Sequence, residues 1–152
     1  LLHLRLIDLS MQETETGTGK LIVCGMMFSI WINDTMAYLV GSFMGKTPLS
    51  KISPKKTWEG TIGGIILCIV TISLAGYFLP VAQAVSWQHW MVIAALAAVF
   101  GTFGDLLESK LKRSADIKDS GSFMPGHGGF LDRFDSLILA TPFVWVYVNL
   151  MF

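Results

Sequence analysis

"GTIGGIILCIVTISLAGYFL", residues 60–79, carries no charged side chain. A run of about 20 mostly apolar residues is what an α-helix needs to cross the hydrocarbon core of a bilayer. Backbone N–H and C=O groups find no water at that depth, so the segment must pair them internally, as a helix does. On either side, residues 21–45 and 89–107 are apolar over comparable lengths. A fourth run, 137–152, is shorter and spans only if its helix begins upstream, within "DRFD". The whole chain agrees with this reading: 53% of the 152 residues are hydrophobic and 14% are charged, where soluble domains carry about 25% charged residues. The expected fold is all-α, a polytopic transmembrane helical bundle forming one membrane-embedded domain over residues 1–152.

The remaining segments are expected to be peripheral. Residues 1–9, "LLHLRLIDL", fit the tail of an earlier helix, and "SMQETETGTG", residues 10–19, reads as a flexible outer loop. No basic start is followed by a cleavage site. The first residue is Leu1, not methionine, as expected of a fragment of a longer chain. A net charge of zero gives no reason to expect a nucleic-acid partner. Cys24 and Cys68 each lie inside an apolar run, lack metal-ligand spacing, and are expected to be small buried hydrophobes.

Basic residues set the expected orientation. Lys46, Lys51, Lys55 and Lys56 follow the first span, and Lys110, Lys112, Arg113, Lys118 and Arg133 follow the third; these are nine of the eleven. The loop between the second and third spans has none. Under the positive-inside rule both basic loops face the cytoplasm, and Pro80, Trp87 and Trp90 fit the opposite interface.

Against this apolar background a few polar residues stand out. Asn33 and Asp34 fall inside the first span, where a carboxylate costs about 2.5–3.5 kcal/mol to insert. Either a helix-packing hydrogen bond or a polar cavity explains them. Asp105, Glu108, Ser109 and Lys112 follow i, i+3, i+4, i+7 spacing and share one helical face at the end of the third span. Asp132 and Asp135 repeat the i, i+3 interval. Such faces occur as ordinary solvated helix ends, or as acids matching an N-terminal dipole. They also offer hard oxygen ligands to a divalent cation. Between them, "PGHGG" (residues 125–129) permits a turn that aims backbone amides at phosphate oxygens. His127 is either a structural residue or a donor to phosphate, and Arg113 and Arg133 are either membrane anchors or bidentate phosphate clamps. "GSFMGKT", residues 41–47, is not a phosphate-binding loop: only three residues separate Gly41 from Gly45, and no strand precedes them.

Taken together, "SKLKRSADIKDSGSFMPGHGGFLDRFDS", residues 109–136, and "NDTMAYLVGSFMGKTPLSKISPKKTWEGTIGG", residues 33–64, closely resemble the phosphatidate cytidylyltransferases, or CDP-diacylglycerol synthases. The resemblance implies transfer of a cytidylyl group from CTP to phosphatidic acid, giving CDP-diacylglycerol and pyrophosphate for phospholipid biosynthesis. It implies Mg²⁺, in a one- or two-metal arrangement, held by Asp105, Asp132 and Asp135. Lys112 and Arg113 would join them in catalysis. Substrate contacts would come from Asp34, Ser53, Lys55, Lys56, Ser109, Lys118, Asp119, His127, Gly128, Gly129 and Arg133. Members of the family are longer, with further N-terminal membrane helices, so a C-terminal portion is expected. A homodimer in a bacterial inner membrane, with its active site facing the cytoplasm, is the family-level expectation. The competing readings are a CTP-dependent polyprenol or phytol kinase, an archaeal ether-lipid cytidylyltransferase, a transporter fragment, and a membrane subunit with decayed chemistry.

Overall fold

The computed structural model describes residues 2–50, 53, 55–115 and 131–151, with side chains from residue 17 onward and, in the last segment, from residue 134. It contains four long helices: α1 (Leu2–Met44), α2 (Trp58–Phe78), α3 (Trp87–Ser114) and α4 (Leu131–Met151). A single 3₁₀ turn, Ala82–Ala84, lies between α2 and α3. Each long helix contains a segment long and apolar enough to cross a membrane: Gly17–Met44, Trp58–Phe78, Trp87–Ser114 and Phe134–Met151. The chain is thus an integral membrane protein of the all-α class.

Helix boundaries follow local chemistry. Thr57 caps α2 in extended conformation, its Oγ1 accepting from Gly60 N at 3.1 Å. Pro80, which cannot continue a helix, lies just past the C-cap residue Leu79. At 28 residues, α3 is about 42 Å long, longer than a hydrocarbon core of about 30 Å. Its last turns therefore extend beyond that core, and there Lys112 and Arg113 complement the helix dipole. The fourth helix does begin upstream of its apolar run, at Leu131, which gives residues 137–152 the length they lacked.

Three expectations are corrected. Residues 10–19 are not a loop: α1 runs through them without a break. Met, Gln and Glu in that stretch are good helix formers, and no proline interrupts it. Cys24 is exposed, on the outer face of α1, whereas Cys68 is buried, its Sγ donating to Ser29 O at 3.1 Å. Trp90 does not sit among headgroups. It is buried between helices, and its Nε1 donates to Ala82 O at 2.9 Å. Its ring takes the space that side chains at Gly25 and Gly76 would fill.

In lipid no hydrophobic force drives helices together, so close packing of small residues must do it. Ala37 on α1 lies so near α2 that a Cβ on Gly64 would fall 2.7 Å from the Ala37 Cβ, and one on Gly60 would fall 2.6 Å from the Ala37 carbonyl oxygen. On α3, Ala94, Ala97, Ala98, Gly101 and Gly104 are all buried. A Cβ on Gly104 would stand 2.6 Å from the carbonyl oxygen of Asp135 and 3.0 Å from Ser136 Cα. This glycine lets the first turns of α4 lie flush against the end of α3. Helices α1 and α2 pack tightly, as do α3 and α4, while α1 and α4 barely meet. The C-terminal ends of α1 and α3 and the N-terminal ends of α2 and α4 lie around one cavity.

Candidate functional site

The cavity occupies about 690 Å³. From α1 it takes Asn33, Asp34, Ala37, Tyr38, Gly41 and Ser42, which recur at intervals of three and four and so share one helical face. Lys55, Lys56 and Thr57 come from the segment before α2, Thr61 from α2, Thr102 and Asp105 from α3, and Asp135 and Ser136 from α4. Both explanations offered for Asn33 hold at once. Its Nδ2 donates to Thr102 Oγ1 at 3.3 Å, tying α1 to α3, and it also lines the cavity. The Thr102 hydroxyl proton goes to Ala98 O at 2.8 Å, so that oxygen is left to accept from the amide.

Carboxylates gather at and beside the cavity wall. Asp105, Glu108 and Asp135 each offer an oxygen, and these oxygens all lie within 4.8 Å of one another. Two like charges at that distance repel by about 3–4 kcal/mol at an effective dielectric constant of about 20. The arrangement needs cations. Lys56 supplies one, its Nζ forming an ion pair with Asp105. Lys112 supplies a second, 3.5 Å from the buried Glu108 carboxylate. Three carboxylates against two ammonium groups leave net negative charge, and all the acidic donors are hard oxygens. The set fits a divalent cation such as Mg²⁺ or Mn²⁺.

The segment between α1 and α2 is irregular but well bonded. Leu49 N donates to Lys56 O at 2.7 Å, Trp58 N to Thr47 O at 3.0 Å and Lys56 N to Ser53 O at 3.1 Å. Pro48 and Thr57 pair as an isolated antiparallel bridge. The glycine-rich "GSFMGKT" run is accounted for here. Side chains at Gly41 and Gly45 would meet the Thr57 side chain, so these glycines admit the returning chain.

The sequence profile of the cytidylyltransferase family matches residues 4–151. The chain belongs to that family. Among curated relatives, it is 47% identical over 123 residues to a phosphatidate cytidylyltransferase of Bacillus subtilis, covering 80% of this chain and 45% of that protein. A phosphatidate cytidylyltransferase of Synechocystis is 39% identical over 138 residues, covering 88% of this chain and 45% of the relative. The chloroplastic phosphatidate cytidylyltransferase 5 of Arabidopsis thaliana is 46% identical over 132 residues, covering 84% and 30%. The chain thus spans less than half the length of these relatives.

The expected site residues differ in where the structure places them. Asp34, Lys55, Lys56, Asp105 and Asp135 line the cavity together. Lys112 reaches the carboxylate cluster through Glu108. Ser53 contributes its backbone oxygen to the lysine-bearing segment, while Ser109 and the exposed Arg113 lie on the last turns of α3 outside the cavity wall. Lys118, Asp119, His127, Gly128 and Gly129 lie outside the described residues, and Asp132 and Arg133 are described only as the first turn of α4. Glu108, which the sequence places on the same helical face as Asp105 and to which no role was assigned, lies in the carboxylate cluster. Its i+3 spacing from Asp105 was the available signal. Thr102, Tyr38 and Ser136 line the cavity and were assigned no role from sequence; Tyr38 and Ser136 fall inside the two family-like blocks, but no spacing singles them out.

Proposed function

We propose that this protein, in its natural full length, transfers the cytidylyl group of CTP to phosphatidic acid, forming CDP-diacylglycerol and releasing pyrophosphate. The observation that carries the reading is the cavity itself. Carboxylates from α3 and α4 and lysines from the α1–α2 segment converge at one end of a membrane-spanning bundle. A water-soluble triphosphate and a lipid phosphate can meet only at such a boundary. The names of the relatives support the same chemistry.

Both substrates are anionic, so mutual repulsion is the main obstacle to reaction. A lipid phosphate oxygen attacks the α-phosphorus of CTP, and the bond to the β-phosphate oxygen breaks. Asp105, Glu108 and Asp135, with Asp132 from the same turn of α4, would hold Mg²⁺. When bound, that ion neutralises charge developing on the phosphate oxygens. Lys55 and Lys56, from the segment before α2, hold phosphate groups beside the carboxylates, and Lys112 keeps the Glu108 carboxylate in place. Arg113, Lys118, Arg133, Ser53, Ser109, Asp119, His127, Gly128 and Gly129 complete the substrate contacts in this reading. Asp34 lines the cavity from α1 and contacts substrate in this reading. The basic segments at this end orient the site to the cytoplasm, in the inner membrane of a bacterium.

Label position provides the test. CTP labelled at the α-phosphorus, incubated with phosphatidate and Mg²⁺, is expected to give labelled CDP-diacylglycerol on thin-layer chromatography. γ-Labelled CTP is expected to leave the lipid unlabelled. Transfer of the γ label to lipid would make the protein a kinase and overturn the proposal.

A further inference from the structure

Lys55 and Lys56 contribute to the cavity only if an irregular segment holds them there. Pro48 and Pro54 deprive that segment of two backbone donors, and its described residues form no helix or regular strand of their own. Its outgoing arm, residues 47–49, is bonded to its returning arm, residues 56–58, by Trp58 N to Thr47 O and Leu49 N to Lys56 O. The outgoing arm therefore fixes the Lys56 backbone, and something must fix the outgoing arm. Glu59, in the first turn of α2, does so. Its Oε2 accepts from Lys46 N at 3.3 Å and from Thr47 N at 3.2 Å, and its Oε1 accepts from Thr47 Oγ1 at 2.9 Å. Glu59 is not part of the cavity wall, whereas Lys55, Lys56 and Thr57 are.

The geometry points to Glu59 as a positioning residue that clasps the outgoing arm to α2 and so aims Lys55 and Lys56 at the phosphates of the substrates. This rests on the proposed cytidylyl transfer for its substrates, while the clasp itself is a property of the fold. A simpler explanation is that an acid at a helix N-terminus complements the dipole. The two accounts differ in what they require. The dipole needs negative charge and is indifferent to small changes in reach. The clasp needs one acceptor for the two backbone donors and one hydrogen-bonding partner for the Thr47 hydroxyl, at a given reach, and no net charge. A glutamine meets that requirement: its carbonyl oxygen accepts the two backbone donors, and its amide donates to the Thr47 hydroxyl. An aspartate keeps the charge but is one methylene shorter.

Glu59→Gln, Glu59→Asp and Glu59→Ala, made in the full-length protein, separate these accounts. Hydrogen–deuterium exchange over residues 45–58 reads the clasp without reference to activity. Michaelis constants for CTP and phosphatidate, set against turnover number, read the lysines. Glu59→Gln is expected to stay within about twofold of the parent in all three quantities. Glu59→Ala and Glu59→Asp are expected to speed exchange across the segment and to raise at least one Michaelis constant about tenfold, with thermal stability close to the parent. Parental exchange in Glu59→Ala would overturn the clasp. So would a Glu59→Gln as impaired as Glu59→Ala, which would show that the charge matters. A fall in turnover and melting temperature with both Michaelis constants unchanged would reduce Glu59 to a general structural role and also overturn it. A parent protein that makes no CDP-lipid would defeat the functional reading, while the exchange measurement would still decide the clasp.

Discussion

The carboxylate side of the cavity stands on α3 and α4, and the lysine side hangs from the segment between α1 and α2; the two are held in place by different means. On the first, Asp105 and Glu108 are neighbours on one helical face because i and i+3 always are, and Asp135 joins them because Gly104 lets α4 approach. On the second, no periodicity helps. Lys56 is held by backbone hydrogen bonds to Ser53 and Leu49 and ends in an ion pair with Asp105. The difference teaches where each side is vulnerable. Helix-borne carboxylates fail when chemistry or helix contact is changed, whereas loop-borne cations fail when geometry is changed at constant charge.

Asp105→Asn should have the largest effect, because Asp105 belongs to both sides: it is in the carboxylate cluster and it pairs with Lys56. Turnover should fall by a factor of about 10² to 10³, the scale seen when one electrostatic partner is removed from a reacting site. Correct membrane insertion, checked by protease accessibility, should be kept. Gly104→Val strikes the same side through packing. Its side chain would collide with the Asp135 carbonyl, and overpacking of this kind costs about 1–3 kcal/mol. A lowered melting temperature together with loss of metal affinity is expected, since displacing α4 moves Asp135 away from Asp105.

The lysine side should respond to position. Moving Lys55 and Lys56 a few residues along the loop preserves net charge and topology but removes the geometry. A Michaelis constant for CTP or phosphatidate about tenfold higher is expected, and unchanged kinetics would leave these lysines as membrane anchors only. The smallest effect should come from Thr57→Ala. It removes the N-cap bond to Gly60 N, worth about 1 kcal/mol, and is expected to lower thermal stability slightly with little change in turnover.

The contrast between the two sides is also a contrast in legibility. Residues 60–79 announced a membrane helix by length and lack of charge, and the carboxylate row on α3 was readable from spacing alone. Expecting the fourth helix to start upstream of its apolar run required only the observation that residues 137–152 are too short to span; it starts at Leu131, one residue before "DRFD". Three features were not readable. The convergence of α3 and α4 depends on what a Cβ at Gly104 would strike, a fact of tertiary contact. The pairing of Asn33 with Thr102 links residues 69 positions apart. The continuity of α1 through residues 10–19 pits good helix formers against the glycines Gly17 and Gly19, and turn-like composition alone pointed the wrong way. The loop lysines were visible as charges, but their aim comes from Glu59, Ser53 and Leu49, whose bonds leave no periodic trace.

Glu108 tests the central claim most directly, because only the folded arrangement groups it with Asp105 and Asp135 around one cation. The measurement is the Mg²⁺ dependence of CDP-diacylglycerol formation by the full-length protein carrying Glu108→Gln, beside the parent. The Mg²⁺ concentration giving half-maximal rate should rise at least about tenfold, and Mn²⁺ binding followed by electron paramagnetic resonance should weaken in parallel. A variant with the parent's Mg²⁺ dependence and Mn²⁺ affinity would contradict the claim that these three carboxylates form the metal-binding side of the site.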